Sequence, residues 1–234
     1  MFMSKNNALY KKLSKYSLDD VIGIEKMDRQ FIAVSNLYKN KNINDDDYLF
    51  LIMANALICY QLSGRGENYW EEFAKVMKAI EGLDDDTKLK NFLINFVLQS
   101  KNNKRLFNVK RERIEKFFKF YNTFTGRSKM YYDNMELLAK DLASIMKQER
   151  NAKTIVFAIK MFSYGARNVF GYVNYFPTSL AIPLDSRLEK IYLVHVNKTF
   201  YTKKDVQTFY ANLSKELQIP PLHLDVLLWT QIDI

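Results

Sequence analysis

Cysteine and histidine are scarce in this chain of 234 residues, and their scarcity argues against disulfide bonds and against metal centres. The single cysteine, Cys59, lies in an apolar stretch and cannot form an intramolecular disulfide, which predicts a buried residue in a reducing compartment. One thiol also cannot hold an iron–sulfur cluster, since such clusters need several cysteine ligands. His195 and His223 have no second ligand at a spacing typical of zinc sites. We therefore expect no metal and no cofactor.

Long hydrophobic runs are also missing, which argues against a membrane-spanning segment. The longest apolar stretch, Tyr48 to Leu62, is interrupted by Asn55 and Gln61 and is typical of a buried helix. The N-terminal MFMSKNNALYKKL has basic residues but no apolar segment followed by a cleavage site. We expect a soluble, cytoplasmic protein without membrane contact.

Hydrophobic residues and positive charge are plentiful. Hydrophobic residues make up 48% of the chain, enough for a packed core in one domain or two small lobes. The net charge is +9 (35 basic minus 26 acidic residues), which favours a polyanionic partner such as nucleic acid. Many basic proteins bind no nucleic acid, so charge alone does not identify the partner.

Helical periodicity runs through almost the whole chain, and strand patterns are scarce, so we predict an all-α fold. A capping box at Thr202 and Asp205, acidic residues from Asp45, and Pro220-Pro221 mark three helix starts. The predicted helices are Leu18 to Tyr38, Asp46 to Leu62, Asn68 to Ile80, Asp86 to Gln99, Lys110 to Phe124, Tyr132 to Lys147, Lys153 to Phe170, Asp185 to Asn197, Lys203 to Leu217 and Pro221 to Asp233.

Two charged residues at predicted helix starts suggest a site of covalent catalysis. Lys153 opens KTIVFAIKMF, where the positive end of the helix dipole and an apolar cleft would both disfavour the ammonium form. A neutral amine can form a Schiff base, and the carboxylate of Asp185, which closes IPLD, could stabilise developing positive charge. On spacing alone, however, a lysine at a helix start is usually a solvated residue.

Residues four positions apart add aromatic and acidic groups to this picture. Phe157 shares a helix face with Lys153, and Lys160 extends the same stripe. In the last helix, Asp225 and Trp229 also share a face. Both aromatic residues are consistent with core packing, although a carboxylate beside Trp229 would be costly in a core without a partner.

Four strings in this chain resemble those of one enzyme family: YQLSGRGENYW, KTIVFAIKMF, IPLDSR and LDVLLW. They look like the archaeal 8-oxoguanine DNA glycosylases, the archaeal GO-glycosylase branch of the helix-hairpin-helix glycosylase superfamily. The strings occur in the family's order and extend from Tyr60 to Trp229. The resemblance implies an all-helical, two-lobed fold with the active site in the cleft between the lobes. It also implies a bifunctional enzyme that releases 8-oxoguanine from DNA and then cuts the strand by β-elimination.

The resemblance further implies roles for individual residues. Lys153 is the expected nucleophile at C1′, and Asp185 stabilises the charged sugar. Phe157 and Trp229 stack on the flipped base. The remaining residues implied by the resemblance are Asp225 and Gln30 at the base edges and Trp70 near the base.

Two further basic residues are candidate phosphate contacts on the residues themselves. Gly64 and Gly66 would let their loop approach another backbone closely, and Arg65 between them could reach phosphate, although the loop could equally be only a tight helix connection. We interpret Lys160 as a phosphate contact or a solvated end rather than a second nucleophile.

The expected architecture is a single glycosylase domain over residues 1–234. Its middle lobe carries Lys153, and its terminal segments form the other lobe. The expected partner is double-stranded DNA that contains 8-oxoguanine, and binding to single-stranded DNA is an open alternative. We expect the protein to bind this DNA as a monomer.

One departure from the superfamily pattern concerns the hairpin before the lysine. Residues 148–152 lack the glycines whose backbone amides hold phosphate in many relatives. Two alternatives stay open, a sister glycosylase with another lesion specificity and a non-catalytic helical nucleic-acid-binding module.

Overall fold

The computed structural model describes residues 8–78, 82–83, 85–196 and 200–232, and within these ranges the regular structure is helical throughout. The all-α prediction is therefore confirmed. None of the described helices is long and apolar enough to cross a membrane. The helices are α1 (Ala8–Leu13), α2 (Leu18–Glu25), α3 (Arg29–Lys39), α4 (Asp45–Leu57), α5 (Gly66–Lys78), α6 (Asp86–Gln99), α7 (Phe107–Phe118), α8 (Tyr121–Phe124), α9 (Ser128–Asp133), α10 (Met135–Met146), α11 (Lys153–Phe170), α12 (Ser186–Val196), α13 (Lys203–Leu217) and α14 (Pro221–Gln231).

The helices with clear start signals begin where the sequence predicts. The bounds of α6, α11 and α13 agree with the prediction, and Thr202 forms the expected capping box with Asp205. Pro221 occupies the first turn of α14. The predicted ends at Ile80, Asn197 and Asp233 lie outside the described residues.

Three long predicted helices are each interrupted. Leu18 to Tyr38 divides into α2 and α3, Lys110 to Phe124 into α7 and α8, and Tyr132 to Lys147 into α9 and α10. The last break has a local cause, because the Asn134 side chain accepts a hydrogen bond from the Leu137 amide (3.0 Å) and starts a new helix. The prediction also extended α4 to Leu62, whereas α4 ends at Leu57.

The chain divides into two compact units, of which the middle unit runs from Arg29 to Asn174. Its core contains α4, which is buried on every face from Asp47 to Leu57, packed against α11. Gly165 permits this close packing, since a Cβ there would lie 2.7 Å from Ile52 Cδ1. The long helix that begins at Lys153 is therefore held rigidly along its buried side.

The other unit joins the N-terminal segment, as far as Asp28, to the C-terminal segment from Tyr175. Helix α2 packs against α14, and two hydrogen bonds join these distant parts of the chain. The Tyr16 hydroxyl donates to Gln231 Oε1 (2.8 Å), and buried His223 Nδ1 lies 2.7 Å from Glu25 Oε1. Because His223 Nε2 accepts the Phe176 amide N–H (3.2 Å), Nδ1 carries the proton and donates it to Glu25. These bonds fix the position of α14.

Candidate active site

Lys153 is the first residue of α11, and its side chain is exposed. Ala152 precedes it as an N-cap that offers no side-chain hydrogen bond. The Lys153 amine makes no hydrogen bond or ion pair with any of the described residues. An uncapped helix start has unsatisfied amide groups, so this end of α11 presents both an amine and backbone donors.

A surface cavity of about 600 Å³ lies beside Lys153 in the middle unit. The cavity carries a net positive charge, because three basic residues, Lys153, Arg113 and Lys116, and one acidic residue, Glu112, line it. The Lys116 amine donates to the Met146 carbonyl (2.7 Å) at the end of α10. Partial desolvation, together with the nearby charges of Lys147, Arg113 and Lys119, lowers the pKa of Lys116. Such a cavity attracts anionic groups.

The two other predicted residues of α11 differ in exposure. Phe157 is half-buried, although its neighbours Val156 and Ala158 are fully buried. Lys160 is only 4% exposed, and its amine lies 5.7 Å from the ring centroid of Tyr164. The interpretation of Lys160 as a solvated end is therefore wrong, while its role as a phosphate contact stays a prediction.

Gln30, Arg65 and Trp70 also belong to the middle unit. The Gln30 side-chain amide lies 3.3 Å from where a Cβ on Gly66 would stand, so α3 and the start of α5 approach closely there. Arg65 is exposed just before α5, whereas Trp70 is 1% exposed and packs edge-on against Phe73. The roles of these three residues stay predictions.

The glycine loop before α5 makes the close approach expected of it. The Gly64 amide donates to the Asn102 carbonyl (3.1 Å), and a Cβ on Gly64 would lie 2.0 Å from Asn102 Oδ1. No side chain can occupy position 64 without displacing Asn102. The loop is thus a tight connection anchored to the segment after α6.

In the other unit, Asp185 caps α12. Its Oδ1 accepts the backbone N–H of Arg187 (3.0 Å) and of Leu188 (2.9 Å). Asp185 Oδ2 makes no hydrogen bond within the described ranges, so one oxygen orients the carboxylate while the other stays available. The prediction that Asp185 stands at a helix start is confirmed.

Asp225 and Trp229 lie one turn apart on α14, with opposite exposure. Asp225 is 3% exposed, whereas Trp229 is 42% exposed. Burial, together with the charges of Asp185 and Asp225, raises the pKa of Tyr210, so both carboxylates act on the same buried hydroxyl. The N-cap of α12 therefore supplies one carboxylate, and α14 supplies a buried carboxylate and an exposed indole.

Sequence reasoning missed Arg187, which supports the indole of Trp229. The guanidinium carbon of Arg187 lies 5.1 Å from the centroid of the Trp229 ring, a cation–π contact. Arg187 Nη2 also donates to the carbonyls of Trp229 (3.3 Å) and Ile232 (2.6 Å). The string IPLDSR contains Arg187, but no local pattern predicts a contact 42 residues away.

Comparison with known proteins identifies the family to which these features belong. A family model described as AGOG, N-glycosylase/DNA lyase, matches residues 10–234. The chain belongs to this AGOG family. Two relatives named N-glycosylase/DNA lyase are each 38% identical. The one from Methanococcus maripaludis aligns over 88% of this chain and 78% of its own length, and the one from Nanoarchaeum equitans over 94% and 88%.

A solved structure in the AGOG family has a similar fold. The crystal structure of the 8-oxoguanine DNA glycosylase from Pyrobaculum aerophilum, complexed with 8-oxoguanosine, matches with a TM-score of 0.82 at 27% identity. The match covers 94% of this chain and 84% of the other. Membership in a family of bifunctional N-glycosylase/DNA lyases confirms the predicted enzyme class. No cluster of three metal-binding side chains occurs among the residues described here.

Proposed function

We propose that this AGOG protein excises 8-oxoguanine from DNA and cleaves the strand at the resulting site through a Schiff base on Lys153. The observation that carries the proposal is the Lys153 amine, exposed at the start of α11 and without a partner among the described residues. The related glycosylase solved with 8-oxoguanosine supports the choice of substrate. The cationic cavity beside Lys153 supports a phosphate-bearing ligand.

The proposed chemistry begins with attack by the neutral Lys153 amine on C1′ of the lesion nucleotide. The C1′–N bond breaks, and the base leaves with the bonding electron pair and then takes up a proton. Loss of the amine proton and opening of the sugar ring give the imine. Removal of a proton from C2′ then expels the 3′ phosphate, which breaks the strand.

Asp185 is proposed to stabilise the positive charge that develops on the sugar as the base departs. The two backbone N–H groups on Oδ1 hold the carboxylate in one orientation. A carboxylate that is already oriented stabilises the transition state without the energetic cost of rearranging the site during the reaction.

Phe157 and Trp229 are proposed to stack on the two faces of the extruded base. The half-buried Phe157 and the exposed indole each offer an aromatic surface to a ligand. Arg187 restrains the indole. In the same proposal, Asp225 accepts hydrogen bonds from the guanine edge, Gln30 accepts the hydrogen that only the oxidised base carries at N7, and Trp70 lies close to the base.

Backbone amides at the start of α11 replace the missing glycine hairpin in this proposal. The N–H groups of Arg150, Lys153 and Thr154 donate to no backbone or side-chain acceptor within the described parts of the chain. Such amides at a helix N-terminus bind phosphate. Arg65 and Lys160 are retained as further phosphate contacts. The proposed ligand is duplex DNA, and single-stranded DNA is an open alternative. The proposed active form is an intracellular monomer.

Borohydride trapping on a duplex containing 8-oxoguanine tests the nucleophile. We expect Lys153→Gln to abolish both base release and the reducible adduct while its circular dichroism spectrum remains that of the wild type. Lys140→Gln, at an exposed position of α10, removes the same charge and serves as the control. A trapped adduct in Lys153→Gln would assign the nucleophile to another amine.

A further inference from the structure

Arg113, a residue of α7, links three elements of the middle unit. Its Nε donates to the Leu57 carbonyl (3.2 Å) at the end of α4. Its Nη2 donates to Gln148 Oε1 (3.0 Å) in the hairpin that precedes α11. The same Nη2 donates to Thr154 Oγ1 (3.2 Å), which belongs to the residue after Lys153. One planar guanidinium thus connects α4, the hairpin and the start of α11.

The three polar groups form a closed arrangement. The Thr154 hydroxyl donates in turn to Gln148 Oε1 (3.1 Å), so the guanidinium, the amide oxygen and the hydroxyl all contact one another. The guanidinium carbon also lies 5.4 Å from the ring centroid of Tyr60. The aromatic ring and three hydrogen bonds together restrict Arg113 to one orientation.

The start of α11 needs such support because it has no cap of its own. Ala152 cannot accept a hydrogen bond through its side chain, and helix ends without a capping side chain tend to fray. Lys153 itself has no side-chain partner among the described residues, so the backbone of the first turn determines where its side chain begins and in which direction it leaves the helix. Thr154 belongs to that turn, and Arg113 fixes it to the buried end of α4.

We infer that Arg113 is a positioning residue, which acts through Thr154 and Gln148 to hold the Lys153 amine where it attacks C1′. The inference rests on the proposed role of Lys153 as the nucleophile. It differs from a role in binding DNA, since it requires the hydrogen bonds of the guanidinium within the protein rather than its charge.

The first test compares Arg113→Gln with Arg111→Gln under single-turnover conditions on an 8-oxoguanine duplex. Arg111 lies on the same helix, is exposed and, within the described ranges, pairs only with Glu115 (3.0 Å), so its loss removes the same charge without the three links. We expect Arg113→Gln to reduce the rate of borohydride-trappable adduct formation by about 10- to 100-fold, the scale of a small displacement of a reacting group. Arg111→Gln should retain the wild-type rate, and both variants should bind the undamaged duplex with similar affinity.

A second pair of variants tests the link at Thr154 and guards against misfolding of the arginine variant. Thr154→Val removes the hydroxyl and preserves the shape, so its trapping rate should fall as in Arg113→Gln. Thr154→Ser keeps the hydroxyl and should restore the rate. The double variant Arg113→Gln/Thr154→Val should be no slower than the slower single variant, because both changes break the same link.

The possible outcomes separate this inference from the proposed function. Wild-type trapping rates in both Arg113→Gln and Thr154→Val would overturn the positioning role while leaving Lys153 as the nucleophile. A loss of affinity for undamaged duplex as large as the loss of rate would assign Arg113 to the DNA backbone instead. Persistent trapping in Lys153→Gln would refute the proposed nucleophile itself, whatever the Arg113 variants do.

Discussion

The buried amine of Lys110 gives a prediction about stability and pH. Lys110 lies on α7 with no exposed surface, and its amine donates to Asn103 Oδ1. Asn103 Nδ2 donates in turn to the Ile58 carbonyl (3.3 Å), and the Lys110 amine lies 5.1 Å from the ring centroid of Tyr60. Because burial removes water from the charged form, the pKa of Lys110 falls from 10.5 to about 8.

The sign of the pH dependence follows from where each state releases this proton. The folded protein releases it near pH 8 and the unfolded chain near pH 10.5, so between these values the unfolded state holds more protons. The stability of the folded state at this position therefore rises with pH across that window. Since each tenfold change in proton affinity is worth about 1.4 kcal/mol, the rise reaches about 3 kcal/mol at most.

Lys110→Met removes the titrating group and keeps much of the buried volume. The free energy of unfolding of both proteins would be measured by guanidinium denaturation at several pH values from about 7 to about 10.5. The difference, wild type minus variant, should increase with pH across this range. The dependence of the unfolding free energy on guanidinium concentration should have the same slope in both proteins, which would verify that both expose the same amount of surface on unfolding. A difference that stays constant or decreases with pH would refute the reasoning.

The remaining predictions concern catalysis and base recognition. Asp185→Asn should keep duplex binding and the start of α12, because asparagine is also a good N-cap, but should reduce single-turnover rates by about a hundredfold or more. Rates near wild type would reduce Asp185 to a helix cap. Phe157→Ala or Trp229→Ala should weaken binding to lesion DNA by about 1–3 kcal/mol, as titrations of lesion and undamaged duplexes would measure. Affinity for the undamaged duplex should change little and keep its steep salt dependence, whereas equal losses on both would assign the residue to the core.

Local signals account for the parts of the fold that the sequence predicts well. Thr202 and Asp205 start α13 through a capping box, and the apolar periodicity of α11 extends from Lys153 to Phe170. In such segments capping and periodicity favour the same bounds. The Asn134 cap that separates α9 from α10 is also a local signal, although it was not used in the prediction.

Contacts between distant residues explain what sequence reasoning missed. Helix α4 ends at Leu57 because side chains from elsewhere in the chain bind the carbonyls at its end. Arg113 donates a hydrogen bond to the Leu57 carbonyl, and Asn103 donates one to the Ile58 carbonyl. Both donors lie at least 45 positions further along the chain. The prediction placed Lys153 and Asp185 at helix starts because the chain around each residue carries that information. The supporting roles of Arg113 and Arg187 depend on contacts with residues more than 40 positions away, which no local sequence pattern indicates.

The pairing of α2 with α14 has a consequence for the order of folding during synthesis. Tyr16 precedes its partner Gln231 by 215 positions, and Glu25 precedes His223 by 198, so the first member of each pair leaves the ribosome long before the second. Between these events the whole contiguous middle unit emerges. The terminal unit must close a loop of about two hundred residues, a step whose entropic cost grows only slowly with length but whose rate falls with sequence separation. Because Asp225 and Trp229 belong to α14, we expect these two residues to be assembled after Phe157 and the helix that carries Lys153.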